Sequence, residues 1–118
     1  MRLTVILIAT KVARARAALS LALAAAALGE EVTLFAHEAA VALLAAAPRG
    51  DDDGAALAAA GLPDRSALLG MAREAGVALI ACQTGLALTG LALSDLAEGV
   101  EAGGLVSVLQ TGGRLVCV

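Results

Sequence analysis

Cys82 offers the most direct chemistry in this 118-residue chain. It follows the apolar run VALIA (Val77–Ala81) at once and is followed by Gln83, Thr84 and Gly85, which lead into a helical segment. A thiol where a buried strand gives way to a helix lies near unpaired backbone N–H groups and the positive end of the helix dipole, and both favour thiolate over thiol. The small residues Thr84 and Gly85 would let a substrate or a partner's cysteine approach, and the N–H groups could hold a persulfide or a sulfur oxyanion. The same placement also suits a buried, unreactive cysteine. His37 ends another strand and could serve as a neighbouring cation or a proton shuttle. A loop histidine with no such role fits that position as well. Thr10 and Lys11 follow the first strand, where a lysine could attract an anionic substrate. Cys117 belongs to the last strand; were that strand beside the one carrying Cys82, the two thiols could form a transient disulfide, and otherwise a small packed side chain is expected.

Other chemistries are excluded by what the chain lacks. The turn after the first strand (ATKVARA) has no glycine, so it is neither a dinucleotide fingerprint nor a phosphate-binding loop. There is no GxSxG elbow. One His and two Cys at unrelated spacings make no zinc site, and Asp51–Asp53, successive residues on a loop expected to be solvated, do not converge on a cation. Neither a metal nor a cofactor is expected. A net charge of −3 and a single aromatic, Phe35, leave nothing to neutralise phosphates or stack on bases, so nucleic acid is not an expected partner. Two cysteines are too few for a disulfide framework and fit a reducing, cytoplasmic setting.

The elements that position these residues can be read from hydropathy. With 60% hydrophobic residues, 16% charged residues and a mean hydropathy of +0.90, the chain is the reverse of a disordered one and forms one domain, residues 1–118. Basic residues before the apolar run Ala17–Leu28 imitate a secretion signal, but a strand-like segment precedes them, so export is not expected. The uncharged stretch Val77–Leu93 falls short of the roughly 20 residues that span a bilayer, so a membrane is not expected either.

Leu3–Ala9 is nearly continuously apolar, as in a strand covered on both faces. Val12–Leu28 reads as a helix ended by Gly29, Glu31–Ala36 as a second strand, and Glu38–Ala46 as a helix stopped before Pro48. Asp64 can cap a helix reaching Ala75, with Gly76 as its stop. Val77–Ala81 is the third strand, Gly103-Gly104 a break, Leu105 to about Gln110 a helix, and Arg114–Val118 the last strand. Strands alternating with helices predict an α/β fold: a single-domain three-layer sandwich with a mainly parallel sheet of four to five strands flanked by helices. The first helix lacks a properly polar side, which predicts a homo-oligomer with helices packed between subunits.

Three stretches resemble the DsrE/DsrF-like family, small α/β proteins that include sulfur-relay subunits of the TusD type. They are ARAALSLALAAAALGEEVTLF (Ala15–Phe35), LIACQTGLALTGL (Leu79–Leu91) and GVEAGGLVSVLQ (Gly99–Gln110). The resemblance implies that Cys82 is the sulfur-accepting cysteine, taking sulfane sulfur as a persulfide and passing it to a partner protein. It also implies a homotrimer, a hexamer, or a heteromer with paralogous subunits. The chain departs from many members at Gly85 and Leu86, where a Ser-Met pair is common. The reading that results is a sulfur carrier or sulfurtransferase-like protein. In that reading Cys82 is the nucleophile, and Gln83, Thr84, Gly85, Thr10, Lys11 and His37 are candidate binding residues. The alternative is a non-catalytic oligomeric or ligand-binding protein with a packed Cys82.

Overall fold

The computed structural model describes residues 1–118. Its sheet is all parallel, in the order β4-β3-β2-β1-β5: β1 is Arg2–Leu7, β2 Glu31–Ala36, β3 Ala78–Cys82, β4 Glu101–Gly103 and β5 Arg114–Cys117. The uninterrupted apolar runs occupy the centre because strands there need cover on both faces. Leu3–Leu7 of β1 and Leu34–Ala36 of β2 are accordingly buried throughout.

Helix α1 (Val12–Ala27) buries Val12, Ala15, Ala18, Leu19, Ala22 and Ala25, a stripe at helical period, and its other side mixes alanines with Arg14, Arg16, Ser20, Leu21 and Leu23. It ends at Gly29, whose φ of +86° allows Glu30 N–H to reach Ala25 C=O at 3.1 Å and Gly29 N–H to reach Ala26 C=O at 3.0 Å. Helices α2 (Gly54–Ala59) and α3 (Arg65–Glu74) complete the passage from β2 to β3, and Asp64 caps α3 by accepting from Ala67 N–H at 2.8 Å. Helix α4 (Gln83–Thr89) leads from β3 toward β4, and α5 (Leu105–Gln110) from β4 to β5.

Two segments differ from the sequence-based expectation. Glu38–Leu44 is a 3₁₀ helix rather than an α-helix. The groups that an α-helix or its cap would satisfy are engaged elsewhere: Arg65 donates to Leu43, Ala45 and Ala47 C=O at 2.7 to 2.9 Å, Ala97 N–H takes Leu44 C=O, and Ala46 N–H gives to Asp95 C=O. The expected break at Gly103-Gly104 is partly strand, since Glu101–Gly103 pairs with Ile80–Cys82 as an edge. Three residues with no apolar run carry no strand signal. Glycine fits closely there, because a Cβ at Gly103 would stand 2.7 Å from Ile80 Cγ2 and the isoleucine would have to shift.

The layers are unequal. Helices α1 and α3 pack together against β1, β2 and β3 on one face, whereas the six-residue α5 lies across β2 on the other. On that thinner side Ile8, Val106, Leu109 and Leu115 are each at least half exposed. No helix is long and apolar enough to cross a membrane.

Candidate functional site

The carboxyl ends of β1, β2 and β3 bring forward the three sets of residues that the sequence singles out. Cys82 is the last residue of β3 and the residue immediately before α4, with extended backbone and only 6% exposure. Gln83 and Thr84 beside it are exposed. Cys82 lines none of the four concavities of the surface; one of about 320 Å³ beneath α5 reaches Gly103, its partner on β4.

Gly85 is buried, and its smallness serves packing. A Cβ there would lie 2.2 Å from Glu38 C=O oxygen and 2.5 Å from Val41 Cγ2, so α4 can seat against the 3₁₀ segment only with glycine at this position. Thr89 finishes the same helix by donating to Gly85 C=O at 2.8 Å, and Gly90, with φ +70°, turns the chain away.

His37 follows β2 directly, at the edge of the sheet where β3 ends in Cys82. The register of β2 and β3 pairs Phe35 with Ile80 and ends with Ala36 opposite Ala81, so that His37 and Cys82 each follow the last pair by one residue. His37 N–H donates to Leu7 C=O at 2.9 Å, which continues the ladder to this residue. Its imidazole lies 6.0 Å from the Phe35 ring, centroid to centroid, with Nε2 3.9 Å from Glu38 Oε1 and Nδ1 buried without a hydrogen-bond partner. Glu38 is the one non-glycine residue with positive φ, at 55°. That backbone costs an L-residue about 1–2 kcal/mol. No sequence pattern marks Glu38.

Thr10 and Lys11 are exposed at the start of α1, two strands away from Cys82, and a different segment closes this corner. Asp51 Oδ2 accepts from Val12 N–H at 3.1 Å, Arg49 Nε donates to Asp51 Oδ1 at 3.0 Å, and Arg49 also donates to Thr10 C=O at 3.3 Å. The run expected to be merely solvated therefore supplies an internal anion to the helix start. The Arg49 side-chain hydrogen bond, followed by the bond from Val12 N–H, holds the Asp51 carboxyl below the usual carboxylate range. Thr10, Lys11 and the Cys82 group are not brought together.

Arg65 was not marked by the sequence either. It is wholly buried and donates only to carbonyls, and burial pulls its guanidinium below the ordinary arginine range. Cys117 corrects the expectation of a small packed side chain: it is exposed on edge strand β5. A disulfide with Cys82 is excluded, because β1 and β2 lie between β5 and β3. Three strand spacings amount to roughly 14 Å, twice the reach of a disulfide.

Comparison with solved structures finds the same fold. The structure of the ychN protein from E. coli superposes with a TM-score of 0.78 at 19% identity, covering 100% of this chain and 99% of that one. MTH1491 from Methanobacterium thermoautotrophicum, described as a protein of unknown function, gives a TM-score of 0.74 at 16% identity over 99% and 98%. No curated protein matches. The model of the DsrE/DsrF-like family matches residues 1–114, and the chain belongs to that family.

Proposed function

We propose that this protein is a sulfur carrier or sulfurtransferase-like protein that accepts sulfane sulfur on Cys82 and passes it to a partner. The observation that carries the reading is the position of Cys82: a free thiol closing a strand at the carboxyl edge of a parallel sheet, where α/β proteins gather ligands, in a chain of a sulfur-relay family. Loading is a thiol exchange. The Cys82 sulfur attacks the outer sulfur of a donor persulfide, R–S–SH; the donor S–S bond breaks, Cys82–S–SH forms, and R–SH leaves with the proton that Cys82 loses. Unloading is attack by an acceptor thiol on the outer sulfur of Cys82–S–SH. Gln83 and Thr84, exposed at the start of α4 and directly after Cys82 in the chain, are the candidate binding groups for that sulfur.

The carrier acts in a reducing, cytoplasmic setting as a homotrimer or hexamer. The exposed Leu21 and Leu28 at the first helix, and Ile8, Val106, Leu109 and Leu115 on the thinly covered sheet face, support assembly. Treatment with a low-molecular-weight alkyl persulfide should add the mass of one sulfur atom to the wild-type protein and none to Cys82→Ser. An unmodified wild-type protein would contradict the reading.

A second reading, a non-catalytic oligomeric or ligand-binding protein with Cys82 packed, is favoured by the 6% exposure of that residue. Iodoacetamide separates the two. A carrier thiol is alkylated in the native protein, and a packed one only after denaturation.

A further inference from the structure

We propose that the open edge of β5 is a self-complementary seam, on which a second copy of this chain pairs antiparallel about Val116 and continues the sheet. The proposal rests on the assembly part of the carrier reading and names one surface that makes it.

The two edges of the sheet are not alike. β4 is three residues long and begins with the exposed Glu101, two features that discourage pairing by another strand. β5 has neither a proline nor an acidic residue, and its Arg114 is already paired with Glu30. Its hydrogen-bonding groups alternate in direction. Val118 N–H donates to Ile6 C=O at 2.8 Å and Val118 C=O accepts from Ile8 N–H at 2.8 Å, so Val118, Val116 and Arg114 are the residues bonded toward β1. Leu115 and Cys117 turn their N–H and C=O groups the other way, where no further strand of this chain lies.

That pattern maps onto itself under a two-fold axis at Val116. Leu115 then faces Cys117 of the second copy, and Cys117 faces its Leu115, so four N–H···O=C bonds satisfy every outward group of both strands. Val116 meets its own counterpart between them, as the non-hydrogen-bonded pair. Four bonds in so short a strand do not hold a dimer alone, and apolar surface flanks them on both sides. On the α1 side Val116, Leu21 and Leu28 line a concavity of about 190 Å³, and Leu28 is 84% exposed. On the α5 side lie the exposed Leu115, Cys117 and Ile8. The charges of Arg114 and Glu30 cancel within one chain, so a second copy meets no repulsion here. It also brings the matching spacing and apolar flanks by symmetry, whereas an unrelated strand would need both. A two-fold contact is absent from a lone trimer and joins two trimers into a hexamer, so the seam favours the hexamer.

Crosslinking and sedimentation of the full chain test the seam. In the double variant Val116→Cys, Cys117→Ser the two introduced thiols face each other across the axis, with Cα atoms about 4.5 Å apart, and diamide should link them into a disulfide dimer. In the wild type the two Cys117 residues lie on a diagonal of roughly 7–8 Å, beyond the usual span of a disulfide, and the same treatment should leave them unlinked. Leu115→Pro removes only an outward N–H, which a sheet edge tolerates, and should weaken self-association about tenfold or more through two lost bonds. The proposal is overturned if the double variant stays unlinked, or if Leu115→Pro associates as the wild type does. A trimer that persists in that case leaves the assembly reading standing on another surface. A linked dimer with no larger species upholds the seam and defeats the trimer or hexamer. A wild-type monomer at the concentrations of the loading assay overturns both and leaves the edge to an unrelated strand. Persulfide loading of Cys82 in Leu115→Pro should match the wild type, so the carrier chemistry is read separately.

Discussion

Two strand-to-helix corners at the same edge of the sheet meet opposite fates. After β1, the start of the 16-residue α1 is taken by the chain's own Asp51 carboxylate, itself held by Arg49. After β3, the seven-residue α4 begins at a thiol with no side-chain cap, pressed against the His37–Glu38 corner through Gly85. Topology makes both corners equivalent places for a ligand. Distant residues decide which one is already filled, and only the β3 corner carries a nucleophile.

Substitutions can pull the two corners apart. Arg65→Ala should affect both, because Arg65 binds the carbonyls of Leu43, Ala45 and Ala47, which lie between the His37–Glu38 corner and the Arg49–Asp51 plug. Stranded carbonyls and a cavity in place of a fully buried side chain predict a loss of about 3 kcal/mol or more in chemical denaturation. Gly85→Ala should disturb the β3 corner alone. Its added methyl must displace Glu38 C=O or Val41, at a cost of about 1–3 kcal/mol, and the native alkylation rate of Cys82 should change while the Val12 amide keeps its protection from exchange.

Much of the architecture was legible in the chain. The apolar runs of β1 to β3 and the stops at Gly29 and Gly76 reflect local covalent and hydropathic constraints, and each appears where expected. So does the Asp64 cap. What escaped depends on long-range pairing. β4 is an edge of three residues with no hydrophobic signature, and the 3₁₀ form of Glu38–Leu44 follows from hydrogen bonds in and just after it to the distant Arg65, Asp95 and Ala97. Within the candidate site, Cys82 stood out by residue type and His37 by its place after a strand, but that both follow neighbouring strands of one sheet required the pairing of β2 with β3. The role of Gly85 shows the same limit. A small residue near a cysteine suggests room for a ligand, and the fold uses that room to seat α4.

The smallest effects belong to the β1 corner. Asp51→Asn should raise the exchange rate of the Val12 amide and leave Cys82 alkylation unchanged. Because the Asp51 carboxyl is held below its ordinary value, its contribution to stability is present at neutral pH and above the usual carboxylate pKa of about 3.9. It fades as the pH drops through the lowered folded-state value. Acid titration of the melting temperature should therefore lose part of its slope in Asp51→Asn compared with wild type.

The most direct measurement is intact-protein mass spectrometry after exposure to an alkyl persulfide, followed by peptide mapping. One added sulfur atom, mapped to Cys82, absent in Cys82→Ser and transferred to an acceptor thiol on chase, is the expected result. Sulfur found only on the exposed Cys117, with Cys82 untouched until the protein is unfolded, would contradict it.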